Sequence, residues 1–186
     1  MRYKVLDFWE WGIGNGELAR NLDAPPRAED CYIRLYVVFI FTHLLIVEGY
    51  MRTPKQVIHL WVDALNAHDA DAAAALYHED AINLQVAIGT PLEGKNAIHR
   101  DFVKFFRSTP DTYTHIENLF EDGEWAILEW TGGGTFVGDG EESDTVGKKY
   151  TLRGCGFFHV INGKIRFQRG YWDKLTWFKQ VGLPID

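Results

Sequence analysis

The sequence predicts an α+β domain in which a cone-shaped, curved, mostly antiparallel sheet is covered by N-terminal helices. Three observations carry this expectation. From residue 53 to about 108, apolar residues recur with the helical period behind well-marked helix starts. From Thr112 to Trp172 the pattern changes to long alternating stretches joined at Glu121 to Glu124 and at Asn162-Gly163, the latter a strong two-residue hairpin signal. Glycines inside these stretches, Gly132 to Gly134, Gly154, Gly156 and Gly170, mark bulges, sharp curvature or the close approach of a neighbour.

The first helix opens with Thr53 as N-cap, Pro54 at the first helical position and Gln56 at the third, a capping box. "PKQVIHLWVDALNAHD" then carries Val57, Trp61, Ala64 and Leu65 on one stripe. "DADAAAALYHED" reads as a second helix with Ala72, Ala75, Leu76 and Tyr77 facing inward. A strand over "DAINLQVAI" puts two amides, Asn83 and Gln85, on one face, because side chains alternate along a strand. "GKNAIHRDFVKFFRST" gives a third helix with Ile98, Phe102 and either Phe105 or Phe106 inside. Two strand pairs follow, separated by the polar, acidic loop "VGDGEESDTVGKK", which is expected to be mobile. "DKLTWFKQVGLP" closes the domain as a short helix, with Asp173 as N-cap, Gly182 just past the end and Pro184 beyond. A curved sheet closed by helices leaves a cone, and a cone can hold a pocket.

Composition narrows the function. The 186 residues are 46% hydrophobic, 24% charged and 15% aromatic, with seven Trp, eight Tyr and twelve Phe, more aromatic surface than one core of this size needs. A net charge of −7 without a Lys/Arg cluster argues against nucleic acid. Cys31 and Cys155 form no disulfide framework or zinc spacing, which fits a reducing, cytoplasmic compartment. The seven histidines are scattered, so no metal and no cofactor are expected.

Residues 1–50 read as an N-terminal extension and 51–186 as a single domain. The apolar run "CYIRLYVVFIFTHLLIV" is broken by Arg34 and His43 and falls short of the roughly 20 residues of a membrane span. It comes too late for a signal peptide and lacks a cleavage site. "GIGNG" at Gly12 to Gly16 has the wrong spacing for a dinucleotide fingerprint. Two readings stay open. Met51 is the natural start, with Glu48-Gly49 encoded by a purine-rich, bacterial ribosome-binding sequence, or the segment is an ordered extension packed on the domain.

The order of elements, with "ALNAHDADAAAALYHEDA", "PLEGKNAI", "LRGCGFFHVINGKI" and "YWDKLTWFKQVGLP", resembles the SnoaL-like branch of the nuclear transport factor 2-like superfamily, a cystatin-like fold that includes ketosteroid isomerases, over residues about 53–183. The resemblance implies a small-molecule-binding domain, an isomerase-, cyclase- or hydrolase-type enzyme on a small apolar or amphipathic ligand, or a non-catalytic binding or interaction module on the same fold. Compared with ketosteroid isomerase, Gln85 stands where that enzyme keeps its carboxylate base, Trp61 where it keeps an oxyanion-stabilising tyrosine, and Gly156 near its protonated aspartate. Against the limonene epoxide hydrolases, Asn83 and Gln85 take the places of a tyrosine and an asparagine, Trp130 and Gly132 those of an Arg-x-Asp, and Gly170 that of a further aspartate. The polyketide cyclases use an aspartate near Gly170 too. The chain lacks these catalytic groups.

The resemblance therefore implies a ligand-binding pocket built from Trp61, Tyr77, Asn83, Gln85, Phe102, Trp130, Phe158 and Trp172, with Gly156 beside them. Aromatic walls with a few amide handles are the usual make-up of a small-molecule site. Glu129, Arg153, His159 and Arg169 alternate with the pocket-facing residues and so lie on the outer sheet face, through which related domains pair as homodimers. Glu129 and His159 are the catalytic candidates should strand bulges invert that parity. Cys155 is expected to face outward as well.

Overall fold

The computed structural model describes residues 52–138 and 147–184. The expectations for residues 1–50, including Cys31, His43 and the Met51 start, and those for most of the acidic loop lie outside the described residues.

Helix α1 (Pro54–Asn66) starts as the sequence predicts: the Thr53 side chain accepts from the Gln56 N–H, and the Gln56 side chain accepts from the Thr53 N–H. Its stripe of Val57, Trp61, Ala64 and Leu65 is buried, joined by Ile58 and Val62. Asn66 closes α1 onto strand β3 (Tyr113–Asp122) by donating to the Thr114 carbonyl and accepting from its N–H, at 2.9 and 2.7 Å.

Helix α2 (Ala70–Ala75) is shorter than its pattern implies. Ala73 and Ala74 are buried, whereas Ala72 and Ala75 face solvent. The helix begins at the Asp69 N-cap as expected but ends at Leu76, whose carbonyl accepts from the Ile165 N–H at 2.8 Å, so that the chain passes into the sheet at Tyr77. Tyr77 instead opens strand β1 (Tyr77–Gln85). A two-residue strand β2 (Leu92–Glu93), absent from the sequence reading, pairs with β1 and leads into helix α3 (Lys95–Ser108). There Ile98, Phe102 and Phe106 are buried, while Phe105 is exposed at the helix flank.

Strands β3, β4 (Trp125–Phe136), β5 (Lys148–Ile161) and β6 (Lys164–Trp172) form the long antiparallel part of a single curved, unclosed sheet of order β2-β1-β6-β5-β4-β3. β1 joins β6 in parallel, the one departure from antiparallel pairing among the described residues. At the β5–β6 turn, Asn162 and Gly163 both have positive φ, 51° and 72°, the geometry that an Asn-Gly hairpin favours.

The strand glycines work by close approach. The β4–β5 register runs without a shift from Trp125↔His159 to Phe136↔Lys148, so neither Gly132 to Gly134 nor Gly154 nor Gly156 forms a bulge there. A Cβ on Gly154 would lie 2.5 Å from the Trp130 ring, and one on Gly132 2.6 Å from the Tyr113 carbonyl. The register shifts fall elsewhere: within β1, between Ile116 and Asn118, and at His159/Val160 where β6 carries the extra residue Arg166.

Helices α1 to α3 and the inner sheet face share one apolar core with Tyr77, Ala126, Leu128, Phe158 and Ile165. Helix α4 (Lys174–Val181) lies on β5 with a second cluster of Tyr150, Leu152 and Val181 against Phe136, Trp172 and Trp177. Asp173 caps α4, Gly182 ends it at φ 76°, and Gln180 tethers it by accepting from and donating to the backbone of Thr151. Trp130 packs against both clusters. No helix among the described residues is long and apolar enough to cross a membrane.

Candidate functional site

A cavity of about 470 Å³ opens between the two clusters. The strand register builds its floor as two rows. In one, Asn83, Gln168 and Phe158 lie side by side across β1, β6 and β5; in the next, Gln85, Gly170 and Gly156 do so. The two glycines leave the second row low. The Gln85 side chain lies over Gly170, and its Nε2 donates to Asn83 Oδ1 at 2.8 Å.

Trp61, Phe102, Phe158 and Trp130 wall the cavity on the core side, and Trp172, Trp177 and Phe136 on the side of α4. Trp61 meets Phe158 edge to face at 5.2 Å, and Trp177 meets Trp172 at 6.0 Å and Phe136 at 5.5 Å. Aromatic rings held in this way present a rigid apolar surface. Tyr150 adds a phenol whose pKa burial raises, partly offset by hydrogen bonds with Thr109 and Thr112.

Of the residues expected at the pocket, Trp61, Asn83, Gln85, Phe102, Trp130, Gly156, Phe158 and Trp172 lie in the lining. Tyr77 does not. It is fully buried beneath the floor, where its hydroxyl donates to Gln168 Oε1. Burial pushes the phenol far above its ordinary pKa, the neighbouring Trp61 N–H offsets part of that, and the Asp101 charge adds to it. Tyr77 thus fixes the orientation of Gln168 as a neutral donor. The Trp61 N–H itself is buried without a hydrogen bond of normal geometry.

Glu129 and His159 lie outside the cavity. The continuous β4–β5 register keeps the parity that would have had to invert. His159 stacks on Trp125 at 4.7 Å and bonds Glu124 at 3.0 Å, and Glu129 accepts from Asn118 at 2.7 Å, with Arg153 at 4.0 Å. Cys155 shares the outer face with its strand partners Glu129 and Tyr171, as expected, and its place between Gly154 and Gly156 also borders the cavity. Its thiol is free.

Several lining residues escaped the sequence reading. Gln168 was legible, since it stands two residues before Gly170 on the same strand face. Asp101 was not. It lies one position from the buried Phe102, and the stripe of Ile98, Phe102 and Phe106 draws attention to the neighbouring face of α3. Among the described residues, Asp101 is the sole carboxylate and Lys104 the sole cationic side chain in the lining. Desolvation raises the Asp101 pKa above the ordinary carboxylate value, and Lys104 pulls it partly back, although the residue keeps contact with solvent. Among the described residues no cluster of His, Cys, Asp and Glu is placed to hold a metal ion.

No protein of curated function matches the chain. Solved structures share its fold. A candidate polyketide cyclase from Pseudomonas putida KT2440 is 25% identical, with a TM-score of 0.59 over 69% of this chain and 98% of that one. Another from Xanthomonas campestris is 22% identical, with a TM-score of 0.58 over 69% and 96%. A Catenulispora acidiphila protein of ketosteroid isomerase-like fold, in complex with trimethylamine, is 18% identical, with a TM-score of 0.60 over 72% and 96%. The family profile of SnoaL-like polyketide cyclases matches residues 55–181, which span all the helices and strands described above but for Pro54 at the start of α1, and the chain belongs to that family.

Proposed function

We propose that the cavity binds a small, largely apolar molecule carrying a carbonyl group, and that the protein acts on it as an isomerase-, cyclase- or hydrolase-type enzyme. The observation that carries this reading is the Asn83–Gln85 couple. Once Gln85 Nε2 has donated to Asn83 Oδ1, the Asn83 amide N–H group and Gln85 Oε1 have no hydrogen-bond partner among the described residues, and neither is sealed from solvent. The couple therefore offers a ligand one donor and one acceptor, whichever way the two amides are turned. The aromatic walls supply area, and the amides supply orientation.

The test uses 2-tetralone, a bicyclic ketone, and tetralin, the same skeleton without the carbonyl. Calorimetry is expected to show the ketone binding about tenfold more tightly, the worth of one net hydrogen bond. Asn83→Leu is expected to erase that preference while tetralin binds as before. Equal affinity for the two probes in the wild type would sink the carbonyl reading.

A non-catalytic binding module is the second reading. It is favoured by Trp130, Gly132 and Gly170, which stand where characterised relatives are expected to carry charged catalytic groups. Saturable binding without chemical change of any enolisable ketone supports it.

The outer sheet face supports pairing with a second copy. Trp125 and Tyr171 are exposed there, and the Arg169 guanidinium lies 5.5 Å from the Phe157 ring centroid and 5.8 Å from that of Tyr171, with its Nε buried and unpartnered. An apolar face with Glu129 and Arg153 side by side offers both charges to a two-fold related copy.

A further inference from the structure

We propose that Gln168 is a second donor to the ligand's carbonyl oxygen, beside Asn83, and that the floor selects a cyclic amide, a carbonyl with an N–H next to it; the proposal rests on the carbonyl-binding reading above. Gln168 is only 4% exposed, yet it lies in the cavity lining, and the two ends of its amide meet different surroundings. The Trp61 N–H, which can only donate, faces the Tyr77 hydroxyl oxygen. The phenol proton is therefore left for Gln168, whose Oε1 accepts it. That fixes which end of the amide is which. Gln168 Nε2 has no hydrogen-bond partner among the described residues and is not sealed from solvent, so it opens on the cavity. A buried amide N–H group without a partner is an exception in folded proteins, and a bound ligand accounts for it.

The spacing of the sheet suits one shared oxygen. Asn83 of β1 and Gln168 of β6 are register partners, and both side chains are buried and line the cavity. Adjacent strands run about 4.8 Å apart. Two donors that approach the two lone pairs of one carbonyl oxygen, each about 2.9 Å away, stand about 5 Å from each other. The Asn83 N–H group is available because Asn83 Oδ1 already accepts from Gln85 Nε2 at 2.8 Å. The next row supplies the acceptor. Gln85 Oε1 lies over Gly170, two residues along β6 from Gln168 on the same face, and it too lacks a partner among the described residues. Two donors followed by one acceptor match a ring amide, whose C=O and N–H leave the same edge of the ring side by side. A carboxylate matches less well, because its second oxygen would meet Gln85 Oε1, acceptor against acceptor.

The experiment adds two probes to tetralin and 2-tetralone: hydrocarbostyril, the lactam in which an N–H replaces the methylene between the aromatic ring and the carbonyl of 2-tetralone, and its N-methyl derivative. By calorimetry the wild type is expected to bind the lactam about tenfold more tightly than the ketone, and the N-methyl lactam no more tightly than the ketone. Tyr77→Phe combined with Gln168→Leu removes the buried donor and its acceptor together, which strands neither. This double variant is expected to bind ketone and lactam about tenfold more weakly while tetralin binds as before. In amide-proton NMR spectra of the wild type, a readout that needs no variant, the Gln168 side-chain signal is expected to shift on adding the ketone and to stay in place on adding tetralin. A lactam bound no more tightly than the ketone overturns the cyclic-amide class. A double variant that binds both carbonyl probes as the wild type does overturns the role of Gln168, and so does an unmoved Gln168 signal should that variant not fold. In either case a ketone that still binds more tightly than tetralin leaves the carbonyl-binding reading standing, whereas equal affinity for ketone and tetralin overturns both.

Discussion

The Gln85 amide lies directly over Gly170. A Cβ at position 170 would come within 2.9 Å of both Gln85 Cδ and Nε2, and closer still to Oε1. The absence of a side chain at Gly170 is therefore what allows Gln85 to reach Asn83. Gly170→Ala is expected to push the amide aside and break the 2.8 Å bond to Asn83 Oδ1. Because the displaced atoms end a flexible side chain, the fold should lose only about 1 kcal/mol, while 2-tetralone binding weakens about tenfold, a loss of similar size. Thermal unfolding and calorimetry on one preparation separate the two effects. An alanine variant that binds as the wild type does would show that the position of Gln85 is irrelevant.

Beneath the floor, Tyr77 carries a different burden. Tyr77→Phe leaves Gln168 Oε1 without its donor in a site only 4% exposed. The expected cost is about 1–3 kcal/mol of stability, the usual price of stranding a buried polar atom, read as a lower urea midpoint with an unchanged slope. A variant as stable as the wild type would mean that Gln168 finds another partner.

Acid should act on the carboxylates in opposite directions. Asp111 is held below its ordinary pKa by the Thr135 hydroxyl and N–H, and Asp173 by those of Thr176. A carboxyl lowered by folding contributes stability that is full above the unfolded value of 3.8 and drains away as pH falls through the lower folded value. Asp101, raised by desolvation, has the reverse sign: its ionised form opposes folding, and protonation in acid relieves that. Melting curves should show Asp111→Asn and Asp173→Asn flattening the loss of stability below about pH 4. Asp101→Asn should leave the neutral-pH midpoint equal to the wild type or above it. A lower midpoint would place Asp101 in a stabilising ion pair instead.

The outer face gives a test of assembly. Tyr171 is 39% exposed, so Tyr171→Asp should fold normally. Sedimentation velocity at micromolar concentration is expected to find the wild type as a dimer and this variant as a monomer. A monomeric wild type would dispose of the pairing.

Much of the architecture was legible because the signals are local. The Thr53 capping box, the Asp173 and Gly182 helix ends and the Asn162-Gly163 turn each depend on a few adjacent residues, and backbone geometry leaves such residues little choice. The period of α1 identified its buried stripe for the same reason. In α2 a run of alanines carries no period, so Ala72 and Ala75 were expected inside where Ala73 and Ala74 are the buried pair.

What the sequence by itself determined is which residues share a face of each strand, because alternation is a property of the strand alone. It put Asn83 and Gln85 on one face, and the family resemblance made that face, with Trp130 and Phe158, the inner one. What only the tertiary structure decided is which inner positions meet one another. Gln85 reaches across Gly170 because β1 pairs with β6 in that register, Tyr77 drops beneath the floor because α2 ends early, and Asp101 enters the lining because α3 is docked by its phenylalanines. These are long-range relations fixed by packing, and helical or strand periodicity carries no record of them.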